Sequence, residues 1–171
     1  PRGVLQVVPG DGPTVGAALG RHMGVDMVSF TGSTGTGRRF LRHAADSNLK
    51  KVVLECGGKN PAVVLEDAEH LDRVAEHVVN GAFWNAGQNC SAGSRLIVHR
   101  AVKAPLMDRI LARLRDWKTG DPLDPQNHIG CLIDDDHRTR VAAFLHGDAL
   151  AGGTPDGPFL PPTVYEVTPE D

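Results

Sequence analysis

A glycine-rich turn at residues 32–37, set between an apolar run and a helical pattern, constrains the fold more than any other feature. Residues 27–30 form a short apolar run typical of a strand, and helical spacing of apolar residues resumes after the turn. The predicted strands of this part are residues 4–8, 27–30 and 51–55, and the predicted helices are residues 14–22 and 36–45. Alternation of strands and helices predicts an α/β fold with a parallel, doubly wound sheet.

The pattern changes at Gly57 and Gly58, where we predict a domain boundary. The strongest helix signal beyond it covers residues 71–83, because apolar side chains recur there every three or four positions and share one face. The other predicted elements are strands at residues 62–65 and 95–99 and helices at residues 105–117 and 136–145. The second part is therefore predicted to be α/β as well.

The composition argues against several classes of protein. The 171 residues carry a net charge of -3, so a basic face for nucleic acid is not expected. No apolar run approaches the roughly 20 residues of a membrane helix, and no signal peptide is recognisable. The eight histidines lack metal-ligand spacing, and Cys56, Cys90 and Cys131 form no CxxC pattern, so no metal site and no disulfide framework is expected. These cysteines fit a reducing cytoplasm. The chain starts at Pro1 and not at a methionine, so we expect it to be a piece of a longer protein.

The glycine-rich turn has the GxxxxG spacing of a phosphate-binding loop. Arg38 and Arg39 follow it, where a nucleotide triphosphatase would need a lysine for the phosphates and a hydroxyl for magnesium. Dinucleotide binding remains, with Ser33 and the turn amides facing a pyrophosphate at a helix N-terminus. A purely structural turn is the alternative that these residues leave open.

Cys90 lies among small and polar residues at positions 87–95, between a predicted helix and a predicted strand. Such a loop lets a substrate approach closely and leaves backbone amides free to bind an oxyanion. A thiol attacks as the thiolate, which requires a polar and partly open site. The segment therefore favours a nucleophile, although a lone cysteine is commonly a small buried apolar residue.

Glu55 stands at the end of an apolar strand, before the segment Cys56-Gly57-Gly58. Doubly wound folds place ligand sites at the carboxyl ends of parallel strands. Partial burial there would raise the pKa of the Glu55 carboxyl toward neutrality and suit it to work as a general base. A salt bridge, for example to Lys59, is the alternative.

Three segments taken together resemble the NAD(P)-dependent aldehyde dehydrogenase family: residues 30–37 (FTGSTGTG), 54–61 (LECGGKNP) and 87–95 (GQNCSAGSR). They stand in the family's order, with Glu55 and Cys90 35 positions apart, and the resemblance continues over essentially the whole chain. It implies that Cys90 is the nucleophile and Glu55 the general base.

The resemblance also assigns the glycine-rich turn. Gly32, Ser33 and Gly37 match the family's cofactor turn, which implies NAD as the cofactor, with NADP as the other possibility. Two departures are mild. Cys56 stands where the family usually has leucine or another apolar residue, and Asn60 replaces a common serine. Neither departure removes a catalytic group.

The fold implied by the resemblance is a parallel, doubly wound Rossmann-like sheet followed by part of an α/β catalytic domain. Residues 1–57 would be the last part of the NAD(P)-binding domain, and residues 58–171 the first part of the catalytic domain. The implied reaction oxidises an aldehyde to a carboxylic acid through a cysteine thiohemiacetal and a thioester.

The substrate implied by the resemblance is gamma-glutamyl-gamma-aminobutyraldehyde or a related amino-aldehyde, with betaine aldehyde and general aliphatic aldehydes as runners-up. The full-length enzyme is expected to be a homo-oligomer, a dimer or a tetramer, with no nucleic-acid or membrane partner. The rival interpretation is a truncated, catalytically inactive remnant of such an enzyme.

Overall fold

A computed structural model describes residues 1–168 as two compact units, Pro1–Gly57 and a second unit that begins at Gly58. We call them the first unit and the second unit. Both are α/β, and each contains one pair of parallel strands, as the alternation of strands and helices predicted. Within residues 1–168, no helix is both long enough and apolar enough to cross a membrane.

The first unit contains a π-helical turn, two helices and two strands. They are the π-helical turn Gly12–Gly16, α1 Ala17–Arg21, β1 Met27–Gly32, α2 Thr34–Ala45 and β2 Lys51–Cys56. The parallel register runs from the pair Met27 and Lys51 to the pair Gly32 and Cys56. Lys50 is buried just before β2, where its Nζ donates to Gly20 O at 2.7 Å and to Ser47 Oγ at 2.8 Å. A buried ammonium satisfied in this way joins α1 to the turn that leads into β2.

The predicted strand at residues 4–8 is wrong. The segment lies outside every strand of the described structure, and no backbone hydrogen bond pairs it with β1 or β2. Its apolar side chains are exposed, as at Val4 (77%) and Leu5 (86%). A strand exists only where a neighbour supplies hydrogen bonds, so an apolar run by itself cannot establish one.

The second unit places helices around its own strand pair. Its elements are β3 Pro61–Val64, α3 Leu71–Phe83, a 3-10 turn Trp84–Gly87, β4 Arg95–Val98, α4 Arg100–Asp116 and α5 Asp135–Ala142. Helix α3 has the predicted bounds. Helix α4 begins at Arg100 rather than at Pro105, because the side chain of His99 caps it by accepting from Ala101 N at 3.3 Å.

An apolar core holds the second unit together. Six buried side chains form it, contributed by β3, α3 and α4: Val64, Ala75, Val79, Leu106, Ile110 and Leu114. Leu106 is fully buried, and burial of such a side chain stabilises a fold by about 1.5–3 kcal/mol. The loop that follows α3 is therefore anchored to a packed helix pair.

Candidate functional site

The predicted cofactor turn, residues 32–37, lies at the junction of β1 and α2 in the first unit. A Cβ on Gly32 would lie 2.6 Å from Cζ of Phe30, so a side chain at this position would force the Phe30 ring to move. Ser33 caps α2, since its Oγ accepts from Thr36 N at 3.3 Å. The chain passes directly from strand to helix, and the first amides of α2 lie at the carboxyl end of β1.

Free amides and open space at the start of α2 fit an anionic group. The N–H groups of Thr34 and Gly35 have no acceptor within the described residues, and a Cβ on Gly35 would meet no atom within 4 Å. Gly37 faces the sheet, where a Cβ would lie 3.2 Å from Cδ1 of Leu54 and 3.3 Å from Sγ of Cys56. The free N–H groups of the turn can therefore donate to phosphate oxygens, and Gly37 lets α2 approach β2 closely.

Glu55 lies in the same unit, on the strand beside that turn. In the parallel register it pairs with Thr31, and Cys56 pairs with Gly32. The Glu55 side chain is exposed and forms no ion pair within residues 1–168, so neither the predicted partial burial nor the alternative salt bridge is present there. A free carboxylate at this edge of the strand pair can accept a proton from water.

The segment that precedes Cys90 is strongly bent. Asn85, Ala86 and Gly87 all have positive φ, at 54°, 57° and 73°, directly after α3. Asn85 and Ala86 are not glycines, and left-handed backbone at such residues costs free energy and persists where surrounding contacts hold it. This bend directs the chain out of the helix and into the loop of residues 88–94, which we call the Cys90 loop.

Cys90 occupies the first central position of a tight turn in this loop. Ala92 N donates to Asn89 O at 3.1 Å, which closes the turn around Cys90 and Ser91. The thiol is exposed, and Sγ donates to Oδ1 of Asn89 at 3.7 Å. The Cys90 N–H has no acceptor within the described residues, so it is available to an oxyanion that forms on a substrate attacked by the thiol.

A cleft of about 390 Å³ borders the Cys90 loop within the second unit. Several side chains with hydrogen-bonding groups and one indole ring line it, at His77, Asn80, Gly81, Trp84, Asn89 and Ser91. Two of these residues flank Cys90 in the sequence. The cleft carries hydrogen-bonding groups and an aromatic face, and both suit a small polar molecule.

The two units hold different parts of the predicted site. Gly32, Ser33, Gly37 and Glu55 lie together at one edge of the first unit, and Cys90 lies in the second. The sequence interpretation missed the structural part played by Asn60, which it treated only as a departure from a common serine. The signal was chemical, because a primary amide offers two donors where a hydroxyl offers one.

The comparisons with known proteins show the family. The model of the aldehyde dehydrogenase family matches residues 1–171, and this chain belongs to that family. It is 59% identical to aminoacetaldehyde dehydrogenase of Pseudomonas aeruginosa, over 97% of this chain and 35% of that protein. The resemblance inferred from three sequence segments is thereby confirmed.

Solved structures agree with this assignment. Gamma-glutamyl-gamma-aminobutyraldehyde dehydrogenase from Burkholderia cenocepacia matches with a TM-score of 0.87 and 38% identity, over 91% of this chain and 34% of that one. An indole-3-acetaldehyde dehydrogenase complexed with NAD+ matches with a TM-score of 0.88 and 38% identity, over the same shares. The predicted α/β fold class is confirmed, and the chain spans about a third of the length of these relatives.

Proposed function

We propose that the full-length protein oxidises an aldehyde to a carboxylic acid with NAD, or with NADP, through covalent catalysis by Cys90. The observation that carries this proposal is the turn in the second unit, where an exposed thiol stands beside its own unpaired N–H group. A nucleophile and an oxyanion donor on one residue suit addition to a carbonyl group. Membership of the aldehyde dehydrogenase family supports the same reaction class.

The first step is addition. The Cys90 thiolate forms a bond to the aldehyde carbon, and the carbonyl electron pair moves to oxygen, which the Cys90 N–H stabilises. One such donor is typically worth about 3 kcal/mol in the transition state. The resulting thiohemiacetal loses hydride and becomes a thioester. The amides of Thr34 and Gly35 at the cofactor turn would hold the phosphates of NAD(P), which, when bound, would supply the hydride acceptor.

The second step is hydrolysis. Glu55 takes a proton from water, the hydroxide adds to the thioester carbon, and the carboxylic acid leaves as the Cys90 thiolate is released. The free and exposed Glu55 carboxylate supports this role, because a base must reach water and must not be held in an ion pair. Residues 1–57 and 58–171 would thus be parts of the cofactor and catalytic domains, as the sequence predicted.

Amino-aldehydes are the substrate class that we propose. Two matched proteins are named for aldehydes of this class, aminoacetaldehyde and gamma-glutamyl-gamma-aminobutyraldehyde. The cleft beside Cys90 supports the proposal, because the ring of Trp84 and the amide oxygen of Asn80 can receive an ammonium or amide group. A homo-oligomer belongs to the same proposal. A reducing, cytoplasmic location does so too, and the three free cysteines support it.

Turnover by the purified full-length protein tests the proposal. NADH or NADPH formation would be followed with aminoacetaldehyde, gamma-glutamyl-gamma-aminobutyraldehyde, betaine aldehyde and propanal. We expect turnover with NAD+ or NADP+, a higher kcat/KM for the two amino-aldehydes than for propanal, and none in Cys90→Ala. Failure to reduce either cofactor with any of the four aldehydes would contradict the proposed activity, and equal turnover of all four would contradict the substrate class.

A further inference from the structure

We propose that Asn60 is a positioning residue for the nucleophile: its side-chain amide fixes the Cys90 loop so that the thiol and the Cys90 N–H face the same incoming carbonyl group. This inference rests on the proposed role of Cys90. Asn60 precedes β3, 30 positions before the cysteine, in the same unit.

Both hydrogens of the Asn60 amide are used by the Cys90 loop. Nδ2 donates to Cys90 O at 2.8 Å and to Ala92 O at 3.3 Å. The main chain of Asn60 also joins β4, because its carbonyl oxygen accepts from Arg95 N at 3.3 Å. One residue thus ties the turn to the start of the β3–β4 strand pair, whose own register is fixed by parallel hydrogen bonds.

The bond to Cys90 O sets the orientation of the next peptide plane. A trans peptide carries its C=O and N–H on opposite sides, so a carbonyl that faces Asn60 turns Ser91 N–H away from it. Ser91 N donates to Oδ1 of Asn89 at 3.3 Å, and Cys90 Sγ donates to the same oxygen at 3.7 Å. The peptide orientation that Asn60 imposes therefore brings the thiol and the Ser91 amide onto one acceptor.

The bond to Ala92 O fixes the far end of the same turn. Ala92 is buried, and its N–H donates to Asn89 O, so the Asn89–Cys90 peptide is held with its carbonyl toward the turn interior. The Cys90 N–H belongs to that peptide and must point the other way. Asn60 contacts neither thiol nor N–H, and its effect reaches them through two peptide planes.

A primary amide at this position can satisfy both carbonyl oxygens at once. Aspartate has the same shape but, when ionised, no donor, and it would place a charge against two carbonyl oxygens. Serine has a single hydrogen on a shorter side chain and can satisfy one carbonyl at most. Replacement of Asn60 by aspartate therefore removes both hydrogen bonds, and replacement by serine removes at least one. Neither change enlarges the side chain.

The test compares Asn60→Asp, Asn60→Ser and Asn60→Ala in the full-length protein. Asn127→Ala is the matched control, because the Asn127 amide also donates to a backbone carbonyl, Asp121 O at 3.0 Å, in a loop without Cys90. Reactive Cys90 thiols would first be titrated with iodoacetamide and located by mass spectrometry. The rate of NADH formation in a single turnover would then be expressed per reactive thiol.

We expect the rate per thiol to fall about 10- to 100-fold in Asn60→Asp and Asn60→Ala, with Asn60→Ser between them and the wild type, since a small misplacement of reacting groups has effects of this size. KM should change less than about threefold on the same reasoning, and Asn127→Ala should keep the wild-type rate. A merely structural role would lower the number of reactive thiols and leave the rate per thiol unchanged, which would overturn the inference.

Two further outcomes separate this inference from the proposed function. Should Cys90→Ala retain turnover, the nucleophile assignment fails and the inference fails with it. Should Cys90→Ala be inactive while Asn60→Asp and Asn60→Ser both react at the wild-type rate per thiol, the proposed function stands and only the positioning role is rejected. Asn60→Asp and Asn60→Ser keep the test informative where the alanine variant does not fold.

Discussion

The two units stabilise their functional segments by different means. The second unit has an apolar core that includes the fully buried Leu106, and Phe83, at the end of the helix that leads to the Cys90 loop, packs against it. Among the described residues of the first unit, Ala44 is the only buried hydrophobic residue. Strand residues such as Met27 and Val53 remain 52% and 37% exposed. Apolar packing therefore stabilises the unit that carries Cys90. Strand pairing and a helix cap stabilise the segments that carry Glu55 and the cofactor turn.

This contrast extends to the two turns themselves. The cofactor turn obtains its shape from glycines and from Ser33, within six consecutive residues. The Cys90 loop obtains its shape from side-chain amides, one of which comes from a residue 30 positions away. Local turns tolerate a loose surrounding structure, while a loop held by a distant residue requires a unit that is already packed.

The largest expected effect is the loss of turnover when the nucleophile of the second unit is removed. Cys90→Ala in the full-length protein should lower turnover by at least about 10³-fold, because no other group can form the covalent intermediate. Cys56→Ala and Cys131→Ala are the controls, since neither cysteine lies in a comparable turn, and both should retain activity. Steady-state assays of the three variants measure this, and undiminished turnover in Cys90→Ala would assign the chemistry to another nucleophile.

Glu55→Gln should affect hydrolysis and spare oxidation. An amide cannot accept a proton from water, so steady-state turnover should fall about 10²- to 10⁴-fold, while thiol addition and hydride transfer survive better. Rapid mixing should therefore show a burst of NADH followed by a slow steady state. Loss of the burst in a variant that still binds NAD would mean that Glu55 is needed to deprotonate Cys90 instead.

Leu106→Ala tests the packing half of the comparison. Removing a fully buried leucine should destabilise the second unit by about 2–5 kcal/mol, and hydrogen exchange of the α3 and α4 amides should report it. Leu123→Ala is the matched control, since Leu123 is 89% exposed, and it should change stability by less than about 0.5 kcal/mol. Equal effects of both substitutions would show that α3 and α4 do not depend on this core.

The smallest predicted effect concerns the helix caps, one in each unit. Ser33→Ala and Asp134→Ala each remove a side chain that accepts from the first turn of a helix, α2 or α5, and each should cost about 1 kcal/mol of local stability. Only Ser33→Ala should also raise the Kd for NAD, because only that cap orients the amides of the cofactor turn. Calorimetric titration checks this, and an equal rise in Asp134→Ala would count against the turn as the phosphate site.

The features that could be predicted from the sequence were those set by residues close together in the chain. The bounds of α3 follow from apolar spacing within the helix itself. The apolar runs at residues 27–30 and 51–55 were correctly predicted as strands, and in the structure they pair with each other. The run at residues 4–8 has strand-like composition without a partner in the described structure, so its prediction failed. Three sequence segments were enough to predict the family and to nominate Glu55 and Cys90.

The contacts that shape the Cys90 loop could not be predicted in the same way. Asn60 and Cys90 meet only after β3 and β4 have paired, and a residue's hydrogen-bond partners across such a distance leave no periodic trace in the sequence. The capping of α4 by His99 was missed for a related reason. Proline was taken as the start of the helix, whereas Pro105 lies inside it and the cap stands earlier.

Trapping the thioester on Cys90 would test whether this thiol is the nucleophile. The full-length Glu55→Gln variant would be mixed with NAD+ and aminoacetaldehyde, quenched in acid and digested, and the peptide that contains Cys90 examined by mass spectrometry. We expect a mass increase that corresponds to the acyl group of the aldehyde, on Cys90 and absent from Cys56 and Cys131. An unmodified Cys90 in a sample that has formed a burst of NADH, or an acyl group on either other cysteine, would contradict it.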